Sequence, residues 1–246
     1  MTSPSSPTSV PAARIHDHHP LVLALFALTA VSGLIDAISY LGLGHVFTAN
    51  MTGNVVVIGF ALVGTDGFSI TGSLTSLAAF LAGSVLAGRL AARHSAGRRA
   101  PWLRAALLAE TALQAAATAV AFACAPNGAS EYGTAAGTTL IALLALAMGL
   151  RNGTVRKLAV PDLTTTVLTL TLTGLAADSS LAGGDNPRLA RRLGAVLAML
   201  AGAAPGAALV IHGHLGWALL ASTVLVGAVA LGYREGDQDD RNHRVT

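Results

Sequence analysis

The sequence predicts an all-α membrane protein with about six transmembrane helices and two re-entrant or broken helical segments, in a layout that suits two inverted repeats. Of its 246 residues, 53% are hydrophobic and 11% are charged, and the mean hydropathy is +0.63. A soluble domain carries about 25% charged residues, so a chain this poor in charge faces lipid over most of its surface. The 27 glycines suit close helix packing, since small residues let membrane helices approach each other.

Composition also excludes several functional classes. The net charge of +3 and the pI near 9.6 come from basic residues in short links beside apolar spans, which is the positive-inside pattern and not a nucleic-acid surface. The single cysteine, Cys124, rules out an internal disulfide and a cysteine-based metal cluster. No catalytic or nucleotide-binding motif occurs, so we expect no enzyme, no cofactor and no metal site.

The chain divides into three regions. Residues 1–20 are rich in Ser, Pro, Thr and His and are predicted to be a disordered tail, and residues 234–246 form a charged tail. The membrane domain covers residues 21–233. Its six predicted spans are 21–43, 73–92, 102–125, 133–150, 193–211 and 215–233. The fourth ends in the sequence Gly-Leu-Arg-Asn-Gly, and a basic loop from Arg151 to Lys157 follows it.

Two further apolar segments, 47–64 and 162–182, carry Asn, Thr and Gly, and their topology follows from the basic residues. If all eight segments crossed the membrane, basic clusters would fall on both sides. If these two segments enter and leave on one side, six segments cross and all basic clusters lie on the side of the two termini. The positive-inside rule makes that side cytoplasmic.

This topology gives the halves 21–125 and 133–233 opposite orientations. Each half contains a similar short sequence, Gly33-Leu-Ile-Asp36 in the first and Gly149-Leu-Arg-Asn152 in the second. A threonine segment follows each, with Thr52-Gly53 in one and Thr173-Gly174 in the other. Inverted repeats with interrupted helices are the construction of many secondary transporters, and the paired interruptions mark their binding sites. The alternative is chance similarity among spans rich in Gly, Thr and Leu.

Asp36 is the most informative single residue. A carboxylate inside a span costs about 3 kcal/mol on insertion scales, so we expect it to face a cavity or a partner. Its role is either proton or cation coupling, or structural pairing with Arg151 or Arg156. The second acid in a span, Glu110, lies close to the basic link after residue 89 and is expected to be salt-bridged there.

The polar segments supply the other candidates. Irregular backbone at membrane depth is tolerated only inside protein or beside a water-filled cavity. The threonines at alternate positions from 169 to 173 have the period of a strand, which favours an extended or broken segment. Packing of helices by Thr hydroxyls is the alternative role. The candidate substrate-binding residues are Asp36, Asn50, Thr52, Gly53, Asn54, Asn152, Thr169, Thr171, Thr173 and Gly174, with Thr166 as a further neutral donor.

Asp36, the run 47–54, the 149–153 segment and the threonine run 164–174 together resemble the YoaK family of bacterial integral membrane proteins, a domain of unknown function. The similarity covers roughly residues 20–233. The resemblance implies a multi-pass protein of the bacterial inner membrane, for which we expect cytoplasmic termini.

Three functions are compatible with these features. A secondary transporter or channel for a small polar solute or ion is the leading hypothesis. The second is a non-transporting scaffold or accessory subunit whose polar motifs only pack helices, and the third, a membrane enzyme, has few ionisable groups to support it. The expected partners are the lipid bilayer and a small polar solute or ion, without nucleic acid, and the sequence is compatible with an oligomer.

Overall fold

The computed structural model describes residues 20–93, 99–124, 134–160, 165, 166 and 168–233, so both predicted tails and residues 161–164 lie outside the described residues except for Pro20. The described residues form helices and no strand, with one short 3₁₀ turn at Ser180–Ala182. The helices are α1 Pro20–Gly42, α2 Met51–Leu62, α3 Ile70–Arg93, α4 Arg99–Cys124, α5 Thr134–Leu158, α6 Thr169–Ala177, α7 Leu189–Ile211 and α8 Leu215–Gly232.

Six of these helices are long and apolar enough to cross a membrane, which confirms the predicted fold class. They contain 18 to 26 residues and therefore extend about 27–39 Å, against a hydrocarbon core of about 30 Å. The other two, α2 with 12 residues and α6 with 9, extend only about 18 and 14 Å. Neither short helix can cross.

The two ends of the segment that contains α2 lie next to each other. Nδ1 of His45, just after α1, donates a hydrogen bond to the carbonyl oxygen of Gly67 at 3.0 Å. The His45 ring also contacts Phe68, with ring centroids 5.7 Å apart. The chain between them includes all of α2, so this segment has the geometry of a re-entrant loop.

Close packing of two helix pairs explains several glycines. A Cβ atom on Gly33 of α1 would collide with the carbonyl oxygen of Met199 in α7, and one on Gly202 of α7 would collide with the carbonyl oxygen of Ala30. The backbones of α1 and α7 therefore touch, as is usual for small residues at membrane helix interfaces.

The pair α3 and α5 packs by the same rule. A Cβ atom on Gly149 of α5 would collide with the carbonyl oxygen of Phe80, and one on Gly83 of α3 would collide with that of Leu146. In both pairs, each glycine faces the carbonyl three residues before the glycine of the other helix. Among the remaining neighbours, α4 lies against α5 and α8, α8 against α1, α2 against α3 and α6 against α7.

The predicted end of the fourth span at residue 150, with a loop from Arg151 to Lys157, is wrong, because α5 continues to Leu158. Gly149 is used for packing on α3, and Arg151 is buried rather than in a loop. Its guanidinium forms an ion pair with Glu110 of α4. It also donates from Nη1 to the carbonyl oxygen of Leu28 at 2.9 Å and to Ser32 Oγ at 3.0 Å, both on α1. The paired charge and the hydrogen bonds of its two terminal nitrogens let the helix keep an arginine in its buried part.

This network joins four helices and corrects two expectations. Glu110 is salt-bridged as expected, but it is 1% exposed and not at the surface. Gln114 donates to the same carboxylate oxygen at 2.8 Å, and Ser222 of α8 donates to Gln114 at 2.9 Å. Since Arg151 is engaged with Glu110, it is not the partner of Asp36.

Candidate functional site

A cavity of about 770 Å³ lies between α1, α7 and the two short helices. The helix α2 borders it from Asn50 at its N-cap to Phe60, and α6 borders it at its N-terminal end, from Leu168 to Leu172. We call it the Asp36 cavity. Half of the candidates predicted from the sequence lie in its wall, namely Asp36, Asn50, Thr52, Gly53 and Thr169.

Asp36 reaches this wall from α1, six residues before the helix ends at Gly42. Its Oδ1 accepts a hydrogen bond from the backbone N–H of Ala49 at 3.1 Å. The carboxylate therefore lies beside the first residues of the α2 segment, where the partial positive charge of the helix end stabilises it.

The Asn-Met-Thr-Gly-Asn motif forms the start of α2. Asn50 is the N-cap, and its side-chain oxygen accepts a hydrogen bond from the Gly53 N–H at 3.4 Å. Thr52 is exposed at the cavity. Gly53 is needed because a Cβ atom there would collide with the Phe47 ring, so this glycine serves close packing.

Asn54, a predicted binding residue, has a structural position instead. It is fully buried, and its side chain accepts a hydrogen bond from Phe47 N at 2.9 Å and donates to Phe47 O at 2.6 Å. Its amide also donates to Ser76 Oγ of α3 at 3.1 Å. The motif thus has one face on the cavity and one face that attaches the segment to α3.

The described residues of the threonine run 164–174 also differ in position, since some line the cavity and others do not. Thr166 and Thr169 line the cavity, whereas Thr171 is buried outside its wall. Thr173 donates to the Thr169 carbonyl at 2.9 Å within α6. The carbonyl of Gly174 accepts a hydrogen bond from Arg192 of α7 at 2.6 Å, and the same guanidinium nitrogen forms an ion pair with Asp178 at 2.8 Å.

The expectation of an extended segment at residues 169–173 is therefore wrong. These residues form the first part of α6, whose backbone hydrogen bonds begin with Leu172 N to Leu168 O at 2.8 Å. A helix satisfies its own N–H and C=O groups where no water is available, and this requirement overrides the strand-like alternation of threonines.

Asn152 lines a different cavity, of about 730 Å³, between α3 and α5. We call it the Asn152 cavity, and Ser84, Arg156 and Lys157 also line it. Asn152 accepts a hydrogen bond from Thr166, which lines the Asp36 cavity. Its own amide donates to the Met148 carbonyl at 2.9 Å. One hydrogen-bonded pair of side chains therefore connects the walls of the two cavities.

The two cavities differ in charge. Among the described residues that line the Asp36 cavity, Asp36 is the one with a formal charge. Among the described residues, the Asn152 cavity has two cations in its wall, Arg156 and Lys157, and no acid.

Sequence reasoning missed the aromatic wall of the Asp36 cavity. Its rings are Tyr40, Phe47, Phe60 and Phe68. The signal was available in part, because aromatics make up only 4% of the chain and Tyr40 follows Asp36 by one helical turn.

Comparisons with known proteins match nearly the whole membrane domain. Residues 24–232 match a family model described as a protein of unknown function, DUF1275. The chain is 38% identical over 160 residues to the UPF0700 transmembrane protein YoaK of Bacillus subtilis strain 168. The aligned region covers 65% of this chain and 66% of that protein, just under two thirds of its length. No solved structure matches the chain.

Proposed function

We propose that this integral membrane protein, which belongs to the DUF1275 family of proteins of unknown function, moves a small polar solute or ion across the membrane through the Asp36 cavity. The observation that carries the proposal is the position of Asp36. It is a carboxylate in an apolar membrane helix, and it lines a large cavity where two helices too short to cross begin. Ionisable residues inside spans mark solute and ion pathways, and discontinuous segments form the binding sites of secondary transporters.

Helix packing supports the proposed inverted repeats. If α1–α4 correspond to α5–α8, the pair α1 and α7 corresponds to α5 and α3, and the pair α2 and α3 to α6 and α7. The glycine register is the same in both long pairs. Asp36 and Asn152 each lie six residues before the end of their helix. Since α1 is the first crossing helix and α5 the fourth, the two helices run in opposite directions through the membrane.

The two cavities then suit an alternating-access mechanism. In our proposal, the Asp36 cavity opens on the external side and the Asn152 cavity on the cytoplasmic side, where its basic residues follow the positive-inside rule. The Thr166–Asn152 hydrogen bond lies between them and acts as the barrier. We place both termini in the cytoplasm and the protein in the bacterial inner membrane.

A scaffold is the second candidate function, and a specific observation favours it. The hydroxyl and amide groups of Asn54, Ser76 and Thr173 are all bonded internally, as they would be in motifs that only pack helices. We rank it below transport because Asp36, Thr52 and Thr169 line a large cavity. An enzymatic function is no part of the proposal.

Solute uptake by proteoliposomes tests transport. Purified wild-type protein is compared with Asp36→Asn across a panel of labelled amino acids, amines, organic acids, sugars and inorganic ions. We expect uptake of at least one class and its loss in Asp36→Asn. Asp66→Asn is the matched control, because Asp66 is an exposed acid outside the cavity. Absence of flux across the whole panel would overturn the proposal.

A further inference from the structure

We propose that the solute of the Asp36 cavity is an organic cation, such as a primary or quaternary ammonium compound. The inference rests on the proposed function and names the substrate class of the same site. It is drawn from the charge of the cavity wall and from the arrangement of its aromatic rings.

Charge gives the first argument. Asp36 has no ion-pair partner among the described residues, and no Lys or Arg lines the cavity. The carboxylate accepts hydrogen bonds from backbone N–H groups at the start of the α2 segment, which orient it without cancelling its charge. An acid in an apolar membrane helix usually faces a cavity or a charged partner, and a cationic solute in this cavity would be such a partner.

The aromatic rings give the second argument. Tyr40 and Phe47 stack with ring centroids 4.7 Å apart, and Phe60 and Phe68 meet edge to face at 5.5 Å. All four line the cavity. Aromatic faces attract ammonium groups through their quadrupoles, and clusters of such rings are used to bind quaternary ammonium ligands.

Helix geometry brings the two features together. Tyr40 lies one turn after Asp36 on α1, so their side chains occupy one face. Phe47 lies beyond the end of α1, where Tyr40 stacks on it, and Ala49 two residues later donates to Asp36. The carboxylate and the first ring pair therefore border the same part of the cavity.

The helix N-termini at the cavity favour the opposite charge. At α2 this effect is reduced, because Asn50 caps the first turn and Ala49 donates to Asp36. The partial charge of a helix end is about half of a unit charge, smaller than that of the carboxylate. The start of α6 has no side-chain cap, so binding of an anion there is the outcome that contradicts our inference.

Equilibrium binding to the full chain in lipid nanodiscs tests the substrate class. The probes are choline, its neutral isostere 3,3-dimethylbutan-1-ol, and acetate. We expect wild-type protein to bind choline about tenfold or more tightly than the isostere. Asp36→Asn is expected to remove this preference, and Phe47→Leu to weaken choline more than the isostere. Asp66→Asn is the control and is expected to keep the wild-type preference.

The outcomes separate this inference from the proposed function. Equal affinity for choline and its isostere, unchanged choline binding in Asp36→Asn, or preferential binding of acetate would overturn the organic cation. Uptake of a neutral or anionic solute without choline would do the same while leaving transport intact. Choline binding without flux of any solute would support the site and overturn transport. If Asp36→Asn does not fold, Phe47→Leu and wild-type protein still decide the question.

Discussion

Thr166 and Asn152 form a hydrogen bond with each other, and each lines a different cavity. The pair stands between the wall that contains Asp36 and the wall that contains Arg156. In the proposed mechanism, a solute passes from one cavity to the other only when this contact opens.

Removing the hydrogen bond should open the barrier. Thr166→Val keeps the shape of the side chain and loses its donor, and a lost hydrogen bond of about 1 kcal/mol corresponds to about a fivefold shift in the open population. We expect a cysteine at position 169, in a Cys124→Ala background, to react about fivefold faster with a thiol reagent added from the cytoplasmic side. Thr173→Val is the control, since Thr173 bonds only within α6. Unchanged reactivity in Thr166→Val would argue against a barrier here.

The glycine interfaces should tolerate no side chain. Gly202→Ala places a methyl group on the Ala30 carbonyl, and Gly83→Ala places one on the Leu146 carbonyl. We expect each substitution to lower the free energy of unfolding by about 1–3 kcal/mol, as measured by denaturation in detergent. In Gly59→Ala, nothing lies within 4 Å of the new methyl group, so the stability should stay equal or rise. Similar stability in all three variants would mean that the helix pairs are not packed through their backbones.

Replacing one member of the buried Glu110–Arg151 pair should destabilise the fold strongly, because the other member is left as a buried charge without a partner. Glu110→Gln leaves Arg151 as a buried charge without its counter-ion, and we expect a loss of about 3–5 kcal/mol in unfolding free energy. Arg151→Met should cost a similar amount. The double variant is expected to be less destabilised than the sum of the two, which a double-mutant cycle measures. Arg156→Met is the control, because Arg156 is exposed and its replacement should change stability by about 0.5 kcal/mol or less.

The re-entrant geometry of the α2 segment predicts a side for position 66. A cysteine at Asp66, beside the Gly67 that bonds His45, should react with a membrane-impermeant thiol reagent from the external side. A cysteine at Leu181, which is 99% exposed, should react from the cytoplasmic side in our topology. Labelling of position 66 from the cytoplasm would contradict the re-entrant loop. Gly67 itself is unsuitable for the substitution, because its φ of 83° strains other residues.

The long helices and the importance of Asp36 could be predicted from the sequence alone. Hydropathy identifies each span because lipid demands about twenty apolar residues in a row, and the cost of a buried carboxylate already indicates a cavity or partner for Asp36. The roles of the residues within each motif could not be read in this way. Asn50 and Asn54 are four residues apart in the same motif, yet one faces the cavity and the other attaches the segment to α3.

Partners that are distant in sequence explain the main errors. Arg151 suggested a loop because its charge alone is incompatible with a span. Its burial depends on Glu110, which is 41 residues away, and on Leu28 and Ser32 in α1. Likewise, the position of Thr166 between two cavities depends on its hydrogen bond to Asn152 of α5, 14 residues away, which local pattern does not encode.

In the proposed mechanism, the two helix pairs in backbone contact move as two bodies, which stay connected through the hydrogen bonds of Arg151 in α5 to α1. One consists of α1 and α7, with α6 fastened to α7 by Arg192, and the other consists of α3 and α5, with α2 fastened to α3 through Asn54. The Asp36–Ala49 and Thr166–Asn152 hydrogen bonds both cross the seam between these bodies. A small rotation of one body against the other would therefore break or form both bonds together, and it would reshape the solute site without unfolding any helix.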